Sequence, residues 1–211
     1  MINYQNIVFD LGNVLVRLDS VAYQQAFANL GLTPYLEGDH KAEGQQLMHQ
    51  LSLGLISTQK FCDDLRTLTK LPLTDEAIAN AANKMLADIP DEKKAMLLRL
   101  RAEGKRVFLL SNTIDMHWNY CVKALFPYQG HTVDDYFEAV FLSQRLHLEK
   151  PDPAIYREVV RQTGIAADNT LFIDDLAPNC EGAQASVGWH VYQNQHFNDW
   201  LSLFSKEAPA L

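Results

Sequence analysis

Six residues can do chemistry together: Asp10, Ser111, Asn112, Lys150, Asp174 and Asp175. Asp10 closes the apolar run IVF at 7–9, Ser111 and Asn112 close RVFLL at 106–110, and Asp174–Asp175 close LFI at 171–173. Short apolar runs bounded by polar residues and turn formers read as buried strands. In an open parallel sheet the carboxyl ends of neighbouring strands face one crevice, where ligands bind. Carboxylates gathered there repel one another unless a cation joins them, and their hard oxygens suit Mg²⁺. With such an ion holding a phosphate oxygen, Asp10 can attack phosphorus. Ser111, Asn112 and Lys150 then supply hydrogen bonds and positive charge to the equatorial oxygens. That division fits phosphoryl transfer, in which positioning and electrostatics supply most of the catalysis. A carboxylate nucleophile gives an aspartyl phosphate, which water hydrolyses.

The elements that must position these groups follow from periodicity. Between 20 and 87 the pattern is helical throughout, with no strand. Ala22, Ala26 and Leu30 recur before Gly31, and residues 33–44 read as a connection. Leu47, Leu51 and Leu55 form a second stripe, and Ser57 and Thr74 are placed to cap two further helices. This is a compact helical insertion whose stripes bury one another. A helix over 91–103, a helical stretch at 117–125, an irregular 129–135 and an apolar run at 136–142 follow. Lys150 opens the helical segment that runs on through 153–162. A short helix over 181–186, a fifth strand over 189–192 and a terminal helix from Phe197 complete the chain. Strands alternating with helices give an α/β fold with a parallel sheet.

Composition narrows the partners. The 211 residues are 47% hydrophobic with a formal net charge of -8, a balance that argues against nucleic acid and anionic membranes. No stretch approaches a membrane-spanning length, and the first residues, MINYQNIVFD, are unlike a secretory signal. Cys62, Cys121 and Cys180 are odd in number and far apart, which fits buried free thiols in a reducing cytoplasm.

Taken in order, these motifs resemble the haloacid dehalogenase-like (HAD) hydrolase superfamily over nearly the whole chain. Its strand ending in Asp matches IVFD at Asp10, and its strand ending in Ser or Thr matches VFLLSN at Ser111. Its lysine matches Lys150 in LEKPDPAIY, and its acidic motif matches LFIDDLAPN at Asp174 and Asp175. The resemblance implies a Rossmann-like sheet of order 5-4-1-2-3, a catalytic core over 1–19 and 88–211, and a cap over 20–87 that covers the substrate. It also implies Mg²⁺ held by Asp10, Asp174, Asp175 and the Gly12 carbonyl, with a small phosphorylated metabolite as substrate.

One position departs from the family pattern. The usual motif is DxD, whose second Asp protonates the leaving oxygen and later activates water; here that position is Gly12, within DLGNV. The DxGNV form resembles a branch of bacterial phosphatases acting on sugar phosphates such as glucose 1-phosphate. Loss of the acid also leaves open a binding or regulatory protein on the same scaffold. A 2-haloacid dehalogenase is a third reading, opposed by the acidic pair beside the nucleophile. Asp19 is a candidate substitute acid, though a solvated hinge residue is the plainer reading. Asn179 is placed to orient the acidic loop, His117 and Trp118 to rim the pocket, and Trp189 and Trp200 to pack. Arg17, Lys41 and Lys60 read as surface cations. The seven histidines lack metal-ligand spacing.

Overall fold

The computed structural model describes residues 4–205; the first three and last six residues of the expected core lie outside the described residues. Strands β1 (Asn6–Phe9), β2 (Arg106–Ser111), β3 (Ala139–Leu142), β4 (Thr170–Asp174) and β5 (His190–Gln193) form one sheet. All neighbours are parallel, in the order β3-β2-β1-β4-β5, which read from the other edge is the order 5-4-1-2-3. β1 is central and buried on both sides, as expected of a strand sandwiched between helical layers.

Alternation along the strands divides the core in two. Ile7, Phe9, Val107, Leu109, Leu171 and Ile173 face one layer with Leu97, Leu100 and Trp200. Val8, Phe108, Leu110 and Phe172 face the other, against Ile155, Tyr156, Val159 and Trp189. The first layer contains α6 (Asp91–Ala102) and the terminal turn Asp199–Phe204; the second contains α10 (Pro153–Thr163) and α11 (Ala177–Val187). Trp189 and Trp200 are buried, in keeping with their reading as packing residues. Register places the site. Phe9 pairs with Leu109 and with Ile173, so Asp10 and Asp174 sit level on adjacent strands, which in a sheet lie about 4.8 Å apart.

A third apolar cluster belongs to α1 (Ser20–Asn29), α2 (Thr33–Leu36), α3 (Lys41–Ser52), α4 (Thr58–Thr69) and α5 (Asp75–Asn83). Phe27, Leu47, Leu51, Phe61, Leu65 and Ile78 are buried in it. Ser57 and Thr74 accept from the backbone N–H groups of Lys60 and Ala77, so both expected caps form. The chain enters and leaves this bundle side by side: Ala87 donates to Arg17 and Asp19 to Met85 through their backbones, each at 2.9 Å. The bundle also packs on the short helix α7 (Asp115–Tyr120), which continues as a wider π turn over Cys121–Leu125.

Several local expectations change. Residues 33–44 are not a plain connection, because α2 starts at Thr33 with Pro34 in its first turn and α3 begins at Lys41. Leu55 lies past the end of α3 and is 62% exposed. The preceding Gly54, at φ 63, lies so close to the Gln144 carbonyl that a Cβ would stand 2.0 Å from it, which fixes the end of α3 against the sheet domain. Asp135 accepts from the Thr132 N–H and so caps α8 (Val133–Tyr136), a helix in the stretch read as irregular; Tyr136 therefore ends a helix rather than starting a strand. Lys150 does not open a helix. It sits in the turn after α9 (Ser143–Leu146), and α10 starts at Pro153 with Asp152 capping the Ala154 N–H at 2.8 Å.

Candidate active site

Asp10 leaves β1 into the loop 11–16, which folds back on itself: the backbone N–H groups of Leu15 and Val16 both donate to the Leu11 carbonyl. The left-handed residue in this loop is Asn13, at φ 51, while Gly12 has an ordinary backbone. Asn tolerates that region better than other side chains. Its conformation aims the Asn13 Nδ2 at Asp175 Oδ2, 3.2 Å away.

The carboxylates of Asp10, Asp174 and Asp175 converge, with one oxygen from each lying within 4.8 Å of the others. The Lys150 Nζ donates to Asp10 Oδ1 and to Asp174 Oδ2, at 2.6 Å each, and to the Leu110 carbonyl at 3.0 Å. Burial pushes the Asp10 carboxyl up to about 7, against the pull of Lys150 and with the Asp174 charge adding to the rise. Burial also raises Asp175. It works against the Lys150 charge as well, yet Asp10 and Asp174 hold that ammonium above the usual lysine value. One ammonium thus faces three carboxylates, a donor set of hard oxygens with surplus negative charge, and a divalent cation fits it.

The three carboxylates are not equivalent. Asp174 is fully buried, with Oδ1 accepting from the Leu176 N–H at 2.9 Å and Asn179 Nδ2 donating to both oxygens at 3.0 and 3.1 Å. Asn179 therefore orients the acidic loop, as its position suggests. Asp10, Gly12 and Asp175 line an open cleft of about 280 Å³ together with Asn13, Asn112 and Lys150. Ser111 is buried and its hydroxyl reaches only the Asn112 carbonyl, at 3.5 Å. Asn112 does not stand free in the cleft. Its Nδ2 donates to the Lys150 carbonyl at 2.8 Å and its Oδ1 accepts the Lys150 N–H at 2.9 Å, so its amide fixes the lysine's backbone.

The other candidates lie elsewhere. Asp19 is exposed and caps α1 through the Ala22 N–H at 2.8 Å. Arg17 pairs with Asp88 at 3.2 Å and Lys60 pairs with Asp64, while Lys41 is exposed. His117 is held by the Ala82 carbonyl of α5 at 3.0 Å, and burial lowers its pKa. Asn194 is the residue that sequence reasoning missed. It donates its backbone N–H to the Asp174 carbonyl at 2.8 Å and its Nδ2 to the Asn13 carbonyl at 3.0 Å. Its position directly after β5 was the available signal, since the polar residues after β1, β2 and β4 were read that way.

A family model for haloacid dehalogenase-like hydrolases matches residues 4–186. The chain belongs to this family. It is 29% identical over 196 residues to a D-ribitol-5-phosphate phosphatase of Bacteroides thetaiotaomicron, spanning 93% of this chain and 94% of that one. It resembles the crystal structure of the HAD family enzyme bt-2542 from the same species, in complex with magnesium and inorganic phosphate. That likeness has a TM-score of 0.87 at 36% identity and covers 96% of this chain and 100% of the other. A variant of that enzyme with one aspartate changed to alanine has been solved with the same ligands. A sesquiterpene phosphatase of Aspergillus oryzae is 32% identical over 107 residues, 48% of this chain and 50% of its own. No helix among the described residues is long and apolar enough to cross a membrane.

Proposed function

We propose that this HAD hydrolase is a Mg²⁺-dependent phosphomonoester hydrolase of small phosphorylated metabolites, carrying the phosphoryl group on Asp10. The observation that carries the reading is the convergence of Asp10, Asp174 and Asp175 beside Lys150, with Asp10, Asp175 and Lys150 on the floor of one cleft and Asp174 buried behind them. The magnesium and phosphate bound by the similar bt-2542 enzyme support it.

In this reading Asp10, Asp175 and the Gly12 carbonyl hold Mg²⁺, with Asp174 completing the acidic set while its hydrogen bonds keep it in place. The ion supplies charge neutralisation at the phosphate when bound. Asp10 attacks phosphorus, the bond to the leaving oxygen breaks, and Lys150 balances charge on the phosphoryl oxygens. In the same reading Ser111, at the end of β2, turns its hydroxyl to donate to those oxygens, and Asn112 keeps Lys150 in position. Water then attacks the aspartyl phosphate, returning the Asp10 carboxylate and releasing inorganic phosphate. With Gly12 at the acid position, the leaving oxygen draws its proton from solvent.

Residues 20–87 act as a cap that selects substrate over a core of 1–19 and 88–211. The DxGNV loop supports placement in the sugar-phosphate branch, and the similarity to a D-ribitol-5-phosphate phosphatase points the same way. The free buried cysteines suit a reducing compartment such as the cytoplasm. The test is phosphate release from sugar, polyol and aryl phosphates with Mg²⁺ or EDTA, for the parent and for Asp10→Asn. Mg²⁺-dependent turnover lost in Asp10→Asn supports the reading. No turnover on any phosphomonoester would favour a binding protein on this scaffold, which Gly12 alone suggests.

A further inference from the structure

The helical bundle contains an apolar cavity of about 120 Å³ between α1, α2, α3 and α4, walled by Phe27, Leu32, Phe61 and Leu65. Between it and the site lies a second space of about 270 Å³, lined by Met85 and Ile114 among others. Shared wall residues set the three spaces side by side in series. Asn112 lines both the catalytic cleft and the middle space. Tyr23 and Met48 line both the middle space and the bundle cavity. Both side chains are half-buried, and an unbranched thioether such as Met48 re-packs readily around a ligand.

Three polar side chains along this route are already engaged: His117 holds the Ala82 carbonyl, the Ser52 hydroxyl donates to the His49 carbonyl, and both ends of the Asn112 amide are on the Lys150 backbone. Tyr23, Thr113 and Glu149 bring the remaining polar side-chain atoms to the wall of the middle space. Beyond Tyr23 the walls are aromatic and aliphatic apart from the exposed Gln45, so a hydroxyl placed among Phe27, Leu32, Phe61 and Leu65 would lose its water partners without replacement. An apolar cavity of about 150 Å³ suffices to bind benzene, so the bundle cavity has room for about four to six carbons.

We propose that this cavity is a subsite for the apolar tail of an amphiphilic phosphomonoester, entered from the catalytic cleft past Tyr23 and Met48. The proposal rests on the phosphatase reading only for the seat of the phosphate end; for the leaving group it sets an aliphatic or prenyl-like extension against the sugar or polyol of the sugar-phosphate placement.

The test measures calorimetric binding of non-hydrolysable n-alkylphosphonates, methyl to octyl, to the full chain in Mg²⁺, alongside kcat/KM for n-alkyl phosphates of the same lengths. Affinity should rise by up to about fourfold per methylene until the cavity is full, the value of one buried CH₂. Met48→Trp should lower the octyl-to-methyl ratio to the value reached by the chain that fills the middle space alone, and the volume-conserving Met48→Leu should keep the parent's ratio. Equal binding of methyl- and octylphosphonate by the parent chain would overturn the proposal, whether or not the Trp variant folds. So would a Met48→Trp protein that melts like the parent and keeps its ratio. Rising affinity without turnover of any ester would sustain the subsite and refute the phosphatase reading. Turnover of ethyl phosphate with flat binding would do the reverse.

Discussion

Replacing Gly12 by Asp tests the missing acid at the place where it is missing. The ionisable side chains on the floor of the cleft are Asp10, Asp175 and Lys150, with Asp174 buried behind, and the site reading commits each of them to the nucleophile, ion or phosphate. Asp19 points away as a cap. A placed general acid contributes about 10²–10⁴ in rate, so the parent should hydrolyse ethyl phosphate more slowly than 4-nitrophenyl phosphate by an excess of that order. A side chain at position 12 meets a soft neighbour: its Cβ would stand 3.0 Å from Leu18 Cδ1. Leu18 is half-buried and Gly12 is not left-handed, so the substitution should lose about 1 kcal/mol, the low end for overpacking. Gly12→Ala controls for that steric term in urea unfolding. Single-turnover rates at saturating Mg²⁺, over esters of graded leaving-group pKa, should show a steep dependence in the parent and in Gly12→Ala. The 4-nitrophenyl-to-ethyl rate ratio should fall by about 10² in Gly12→Asp, the low end of an acid's contribution. A flat dependence in the parent, with chemistry rate-limiting, would refute the reasoning by showing that another group donates the proton.

Other perturbations reach the same structure from different sides. Asn13→Ala should lose about 1–2 kcal/mol from its left-handed backbone, whereas Asn13→Gly keeps that backbone; both should weaken Mg²⁺ binding by calorimetry through loss of the Asp175 contact. Lys150→Met removes the counter-ion of two buried carboxylates and should lose about 3–5 kcal/mol, and Mg²⁺ should restore more Tm in this variant than in the parent. His117 is held neutral by burial, so below its unfolded pKa of about 6.5 the unfolded chain takes up a proton that the folded chain resists. The stability it contributes is therefore present above that pH and lost on acidification, and His117→Gln should flatten the fall in urea stability between pH 7.5 and 5.5.

The α/β class was legible because short apolar runs such as RVFLL and LFI, bounded by turn formers and alternating with helical stretches, fit strands buried on both faces, and their polar ends mark one rim. The partners of those polar ends were less so. Asn112 is at a strand end like Ser111, but only the approach of the 143–150 segment turns its amide onto the Lys150 backbone. Asn13 was visible as a loop former, yet its left-handed angle and its bond to Asp175 depend on a contact 162 positions away. In the bundle, the spacing of Ala22 and Ala26 marked a face, but Phe27 is the side chain that α1 buries. Leu55 fitted its stripe and failed because the helix ends first, where Gly54 meets the Gln144 carbonyl. Local pattern locates elements and their ends; tertiary approach decides which polar group is spent on protein and which remains for a ligand.

The central claim is that Asp10 carries the phosphoryl group. It is tested most directly by mixing excess enzyme with a ³²P-labelled aryl phosphate in Mg²⁺, quenching in acid within a single turnover, and mapping the label by mass spectrometry. The account predicts a hydroxylamine-labile phosphate on Asp10 that rises and decays within the turnover and is absent in Asp10→Asn and in EDTA. Full Mg²⁺-dependent phosphate release with no label on Asp10 at any quench time would contradict it.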